Sequence, residues 1–138
     1  MNAITFLAIR LLPILFGAIL ITAPAHAASV KVEILFMNHG PMQPVIKQIK
    51  DVLRQFPDAV QVFWHDVETA DGADFMKRMG IKGHIPLMIF VDGSTTQEVG
   101  GKSINFTGFP NGAGPFMFQG AWGMQDLEAV LQSKTGKR

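Results

Sequence analysis

Apolar residues recur along this chain with two periods, and the alternation between those periods predicts its elements. Residues 30–37 form a short apolar run rich in β-branched and aromatic side chains, the composition of a strand. Val45, Ile46, Ile49, Val52, Leu53 and Phe56 follow at helical spacing as one wide apolar stripe, which Pro57 ends. Val60, Val62 and Trp64 then alternate with Gln61, Phe63 and His65, the period of a second strand. Residues 66–72 are polar and open a short helix through Phe75, Met76 and Met79, closed by Gly80. Residues 86–91 read as a third strand, with Asp92-Gly93 as the turn after it.

Beyond that turn the pattern thins. Val99-Gly100-Gly101-Lys102 is a hairpin turn, with residues 103–107 returning as a strand, and residues 109–120, rich in Gly, Pro and Phe, read as loop. A last helix carries Trp122, Leu127, Val130 and Leu131, and Lys134 suits its negative C-terminal end. The order is β-α-β-α-β-β-α, without internal repeats or a linker. A parallel pair across a crossover helix, followed by an antiparallel hairpin, gives a small α/β sandwich.

The first residues change the picture of where the domain begins. Arg10 precedes an apolar run over residues 11–21, and Ala25-His26-Ala27 places small residues where a signal peptidase reads. Residues 1–27 are therefore expected to be a cleaved signal peptide and residues 28–138 the domain. The competing reading is an uncleaved anchor, but the run is short of the about 20 residues a span needs, and Pro13 interrupts it. The expected location is periplasmic or secreted, with no stable membrane insertion after cleavage.

Loss of Arg10 brings the 12 Lys and Arg into balance with the 11 Asp and Glu. That balance predicts no nucleic-acid partner. An exported chain could use disulfides, yet this one has no cysteine and no tyrosine. Disulfide exchange, thiol peroxidase chemistry and thiolate metal sites are excluded for it.

Three segments, in order, resemble the thioredoxin-like superfamily. The first is Ile34-Leu35-Phe36-Met37-Asn38-His39-Gly40-Pro41-Met42, where family members carry Cys-Gly-Pro-Cys in place of His39 to Met42. The second runs from Val62 through His65-Asp66-Val67-Glu68 to Gly80-Ile81-Lys82-Gly83-His84-Ile85-Pro86, similar to the family's second strand, short helix and cis-proline loop. The third is Gln119-Gly120-Ala121-Trp122 leading into residues 126–131, similar to the closing strand-Gly-helix segment. The resemblance implies a thioredoxin-like three-layer α/β sandwich. Its mixed sheet of four to five strands is flanked by helices, and an extended hairpin or loop precedes the last helix. Pro44 departs from the pattern. It has no N–H to give, so the helix is expected to begin near Gln43. Residues 94–118 form an added span.

In the family the matching proline is cis, and its neighbouring backbone pairs with an extended peptide laid across the active-site groove. The resemblance thus implies a cis Pro86 and a binding groove made of His39, Gly40, Pro41, Met42, His84, Ile85 and Pro86. The partner is then an extended peptide or a protein, bound in a chaperone-like manner without a cofactor or dithiol catalysis. The alternative is a copper site. Met37, His39, Met42 and His84 would make a soft nitrogen and sulfur set suited to Cu(I), provided they converge. Against it, His39 reads equally as a solvent-exposed loop histidine, and methionines often fill gaps in cores, as Met76, Met79 and Met88 are expected to do. His65 and Asp66 are neighbours on a strand and point to opposite faces, with no serine near them, so hydrolase chemistry is not supported. Phe106, Phe109, Phe116, Phe118 and Trp122 are either packing for the long loop or an apolar rim for a partner.

Overall fold

The computed structural model describes residues 29–137. The expected leader, residues 1–27, lies outside them. The elements are β1 (Val30–Phe36), a 3-10 turn at Gly40–Met42, α1 (Gln43–Leu53), β2 (Val60–Asp66), α2 (Ala70–Arg78), β3 (Leu87–Val91), β4 (Thr96–Val99), β5 (Lys102–Asn105), a second 3-10 turn at Phe116–Phe118, and α3 (Met124–Thr135). No described helix is long and apolar enough to cross a membrane.

The architecture is mixed α/β. β1 lies at the centre of a three-stranded sheet of order β2-β1-β3, parallel to β2 and antiparallel to β3. β4 and β5 form a separate antiparallel pair. The sheet is therefore smaller than the expected four to five strands. After β5 the chain runs beside β3 only briefly, where Ile89 N–H donates to the Phe106 carbonyl (3.0 Å) and Gly108 N–H to that of Leu87 (2.8 Å). Gly108 then turns away with φ of 81°, and a Cβ there would sit 2.5 Å from the Phe118 carbonyl oxygen.

Strand alternation divides the core. Val30, Val32 and Ile34 of β1 and Leu87, Ile89 and Val91 of β3 point to one face, where α1 and α3 cover them. Leu35 and Phe90 point to the other face and meet Phe75 of α2. Trp122, expected on the last helix, precedes it. Its fully buried indole donates from Nε1 to the Gly108 carbonyl at 3.1 Å. The expected start of α1 at Gln43 is observed, with Pro44 in the first turn where a missing N–H costs nothing. Met79 is exposed rather than packed.

Asp92 and Gly93 make the tight turn between Val91 and Ser94, with φ of 50° and 82°. Asp92 also ties strands to helix: its carboxylate accepts from the Lys31 amide (3.0 Å) and from Lys134 Nζ (2.9 Å).

The expected cis proline is not observed. Among the described residues no peptide bond is cis, so Ile85–Pro86 is trans. Pro86 opens the approach to β3, and its carbonyl accepts from the Met37 amide at 3.0 Å, one step beyond the β1–β3 ladder. Gly83, at φ of 89°, supplies the left-handed backbone of the preceding loop. A trans X-Pro bond is the intrinsically favoured form.

Candidate functional site

The end of β1 leads directly into the first half of the site. Met37 is held to the Pro86 carbonyl, the His39 amide bonds back to Met37 O (2.9 Å), and the Met42 amide bonds to His39 O (2.9 Å). This closes a tight turn that lifts His39 out of the strand. Asn38 Oδ1 accepts from Gln43 Nε2 and fastens the turn to the first residue of α1. Gly40 is open, with no heavy atom within 4 Å of where a Cβ would stand.

The second half comes from the loop before β3. Met37, His39, Pro41, Met42, His84 and Pro86 line one cleft of about 140 Å³, completed by Phe109, Pro115 and Phe118 from the long loop before α3. Residues from three separate stretches of chain thus line one cleft, an arrangement that residue spacing alone left open. Ile85 is not among these residues; it lines a second hollow that shares His84, Pro86 and Phe118 with the cleft and adds Thr107 and Met117.

Each side chain plays a different physical part. Met42 is 1% exposed and belongs to the apolar core under α1; the cleft meets only its edge. His39 is about half exposed, and its Nε2 lies 3.6 Å from Glu68 Oε1, itself 57% exposed. An ion pair this open to water contributes little. The His84 ring stands 6.0 Å from Phe118, tilted at 56°. Among the described residues no group of three His, Cys, Asp or Glu is placed to hold a metal ion.

The aromatic cluster divides between both readings. Phe106 and Trp122 are fully buried and pack edge to face at 5.3 Å, so they are core. Phe109 is buried but forms the floor of the cleft. Phe116 and Met117, by contrast, are 90% and 80% exposed at the tip of the loop. Two large apolar side chains standing in water next to an apolar cleft are the kind of feature that marks a binding surface.

The main chain at this site is unusually open. From Lys82 to Ile85 no backbone group makes a hydrogen bond to another described residue, whereas Ile81 bonds to Met76 O and Pro86 to the Met37 amide.

Sequence reasoning missed a second group of polar residues, on the α2 face of the sheet. His65 is buried, stacks on Phe75 at 4.1 Å, and its Nδ1 lies 2.6 Å from Asp71 Oδ2. An ionised carboxylate only accepts, so Nδ1 is the donor. Nε2 has no hydrogen-bond partner, and the nearest acidic oxygen, Glu33 Oε1, is 3.9 Å away. Glu33 is held instead by Lys31 Nζ at 2.8 Å. The strand period does place Glu33 and His65 on one face, but the reach of Asp71 back from α2 has no sequence signal.

No family model, curated protein or solved structure matches this chain.

Proposed function

We propose that the protein is an exported, thioredoxin-like binding module without dithiol chemistry, which takes an extended peptide or an unfolded segment of a partner in the groove between His39 and Pro86. The observation that carries this reading is the run of unpaired main chain from Lys82 to Ile85 beside an apolar cleft. Such a loop offers an extended peptide N–H and C=O groups to pair with, and the cleft offers a seat for one large apolar side chain. Phe118, Phe116 and Met117 extend the apolar rim. A trans Pro86 leaves this intact, because the pairing groups belong to His84 and Ile85. Isotope-edited NMR with unfolded apolar peptides tests it. Amide shifts are expected at Gly83 to Leu87, weakened in Phe118→Ala. No shifts there at millimolar peptide would overturn the reading.

One observation favours a second reading. Met37, His39, Met42 and His84 all line the same cleft, so a Cu(I) ion could draw on two imidazoles and two thioethers. Titration of the chain against a coloured Cu(I) chelator decides it: binding bleaches the chelator at stoichiometric protein, and unchanged absorbance removes the copper site.

A further inference from the structure

β2 is an edge strand, and among the described residues no strand lies on its outer side. The sheet order ends at it, so β1 is its sole neighbour among the described strands. Its parallel ladder to β1 is flanked by Val30 N–H on the Ala59 carbonyl and Val67 N–H on that of Phe36. Backbone direction alternates along a strand, so Gln61, Phe63 and His65 turn their N–H and C=O groups toward β1. Val62 and Trp64 turn theirs outward. The strand is seven residues long and contains no Lys, Arg or Pro, the residues that ordinarily blunt an open edge. Phe63 is 44% exposed on it. The opposite edge of the same sheet is treated differently, since residues 106–108 lie along β3.

We propose that β2 pairs with β2 of a second copy, antiparallel and centred on Phe63, to give one continuous six-stranded sheet across a two-fold axis. In this register Val62 of one copy exchanges main-chain hydrogen bonds with Trp64 of the other. Phe63 meets Phe63 in the closely spaced, non-hydrogen-bonded position, where aromatic pairs contribute most. Charge selects the direction. Asp66 ends the strand on the same face as Val60, Val62 and Trp64, and at its far end Val60 lines a groove with Arg54, Pro57 and Lys50. Antiparallel pairing sets each Asp66 opposite Val60 of the other copy, at the groove lined by Arg54, whose guanidinium already pairs with Asp51 of its own chain (2.9 Å), twice by symmetry. Parallel pairing in register would place Asp66 against Asp66. A two-fold contact also closes on itself, so it ends at a dimer instead of growing into a fibre.

Sedimentation equilibrium on the full chain tests the pairing. A dimer is expected at roughly 100 μM, the regime of a small interface. Phe63→Lys sets like charges across the axis and is expected to raise the dissociation constant about tenfold or more. Val62→Pro removes an outward N–H, which an edge strand tolerates, and trims a half-buried side chain packed on the core; it is expected to do the same while far-UV circular dichroism stays unchanged. Arg54→Asp and Asp66→Arg should each weaken the dimer, and the two together should restore it. A monomer at that concentration, or a dimer indifferent to both Phe63→Lys and Val62→Pro, overturns the proposal. So does slow hydrogen exchange at the Val62 and Trp64 amides in dilute monomer, because another segment of the chain would then cover the edge.

Discussion

The two faces of the sheet are built on opposite terms. On the face covered by α1 and α3, a large set of buried side chains is apolar throughout, and the charged groups stand at its margin in pairs. Asp92 takes Lys134 and the Lys31 amide there, and Asp126 takes Lys102 (2.8 Å) and the Gly123 amide (2.8 Å) at the start of α3. On the α2 face only Leu35, Phe75 and Phe90 form the buried cluster, and polar groups lie inside it. Glu33 and His65 are each 7% exposed, and one ring nitrogen of His65 has no partner. The first face is where the stability of the domain resides. The second carries a polar load that costs stability and is held by one helix.

The sharpest way to break that contrast uses two neighbours on β1, Ile34 and Leu35, both 0% exposed and pointing to opposite faces. Ile34→Ala opens a void in a close-packed core and is expected to cost about 4–5 kcal/mol, the upper part of the range for such truncations. Leu35→Ala is expected nearer about 2–3 kcal/mol, because α2 alone can settle toward the sheet and shrink the cavity. Urea unfolding of the two variants measures the order, and the reverse order would refute the contrast.

A smaller effect probes the polar load itself. His65→Phe keeps the stack on Phe75 and removes the unpartnered nitrogen, at the loss of the contact to the mostly exposed Asp71. The gain and loss are each about 1 kcal/mol, so the net change should stay within about 1 kcal/mol of zero. A loss several times larger would mean that Glu33, His65 and Asp71 act as one connected network.

Much of this was legible in the sequence for physical reasons that are strong and local. The stripe over α1, the alternation over β2 and the Asp92-Gly93 turn each rest on a period or a φ requirement that few other conformations meet. Whether Met37, His39, Met42, His84 and Pro86 converge was not legible, because residue spacing alone does not show it; the adjacency of β1 and β3 sets both halves of the site at one end of that pair. What escaped was whatever depends on the path of the chain between elements. The trans bond at Pro86 could not be read from a motif, since local sequence does not fix the isomer and the trans form is the intrinsically favoured one. Nor could the division of the Phe-rich stretch, in which Phe106 is core and Phe116, ten residues on, stands in water. Identical residue types were sorted there by the path of the loop, since Phe109 beyond Gly108 is still buried while Phe116 stands at the loop tip.

The paired margin of the α1/α3 face gives the last and smallest test. Burial alone would raise the carboxyl pKa of Asp92, but the hydrogen bonds from Lys134 and from the Lys31 amide outweigh it, so the pKa lies below its ordinary 3.8. Asp126 shows the same balance: burial opposes, and Lys102 with the Gly123 amide prevails, again below 3.8. A carboxyl whose folded pKa is depressed binds its proton more readily in the unfolded chain. Its contribution is therefore complete above the unfolded pKa, shrinks as pH falls below about 4, and is gone beneath the folded value. Asp92→Asn and Asp126→Asn should each lower stability at pH 7 by about 0.2–1 kcal/mol, kept small because these pairs are partly open to water. The gap from the parent in urea midpoint should close as pH drops from about 5 to 2. If instead neither margin variant altered that acid slope, these two carboxylates would not be what the fold loses in acid, and the division of labour between the two faces would not be the one drawn from their packing.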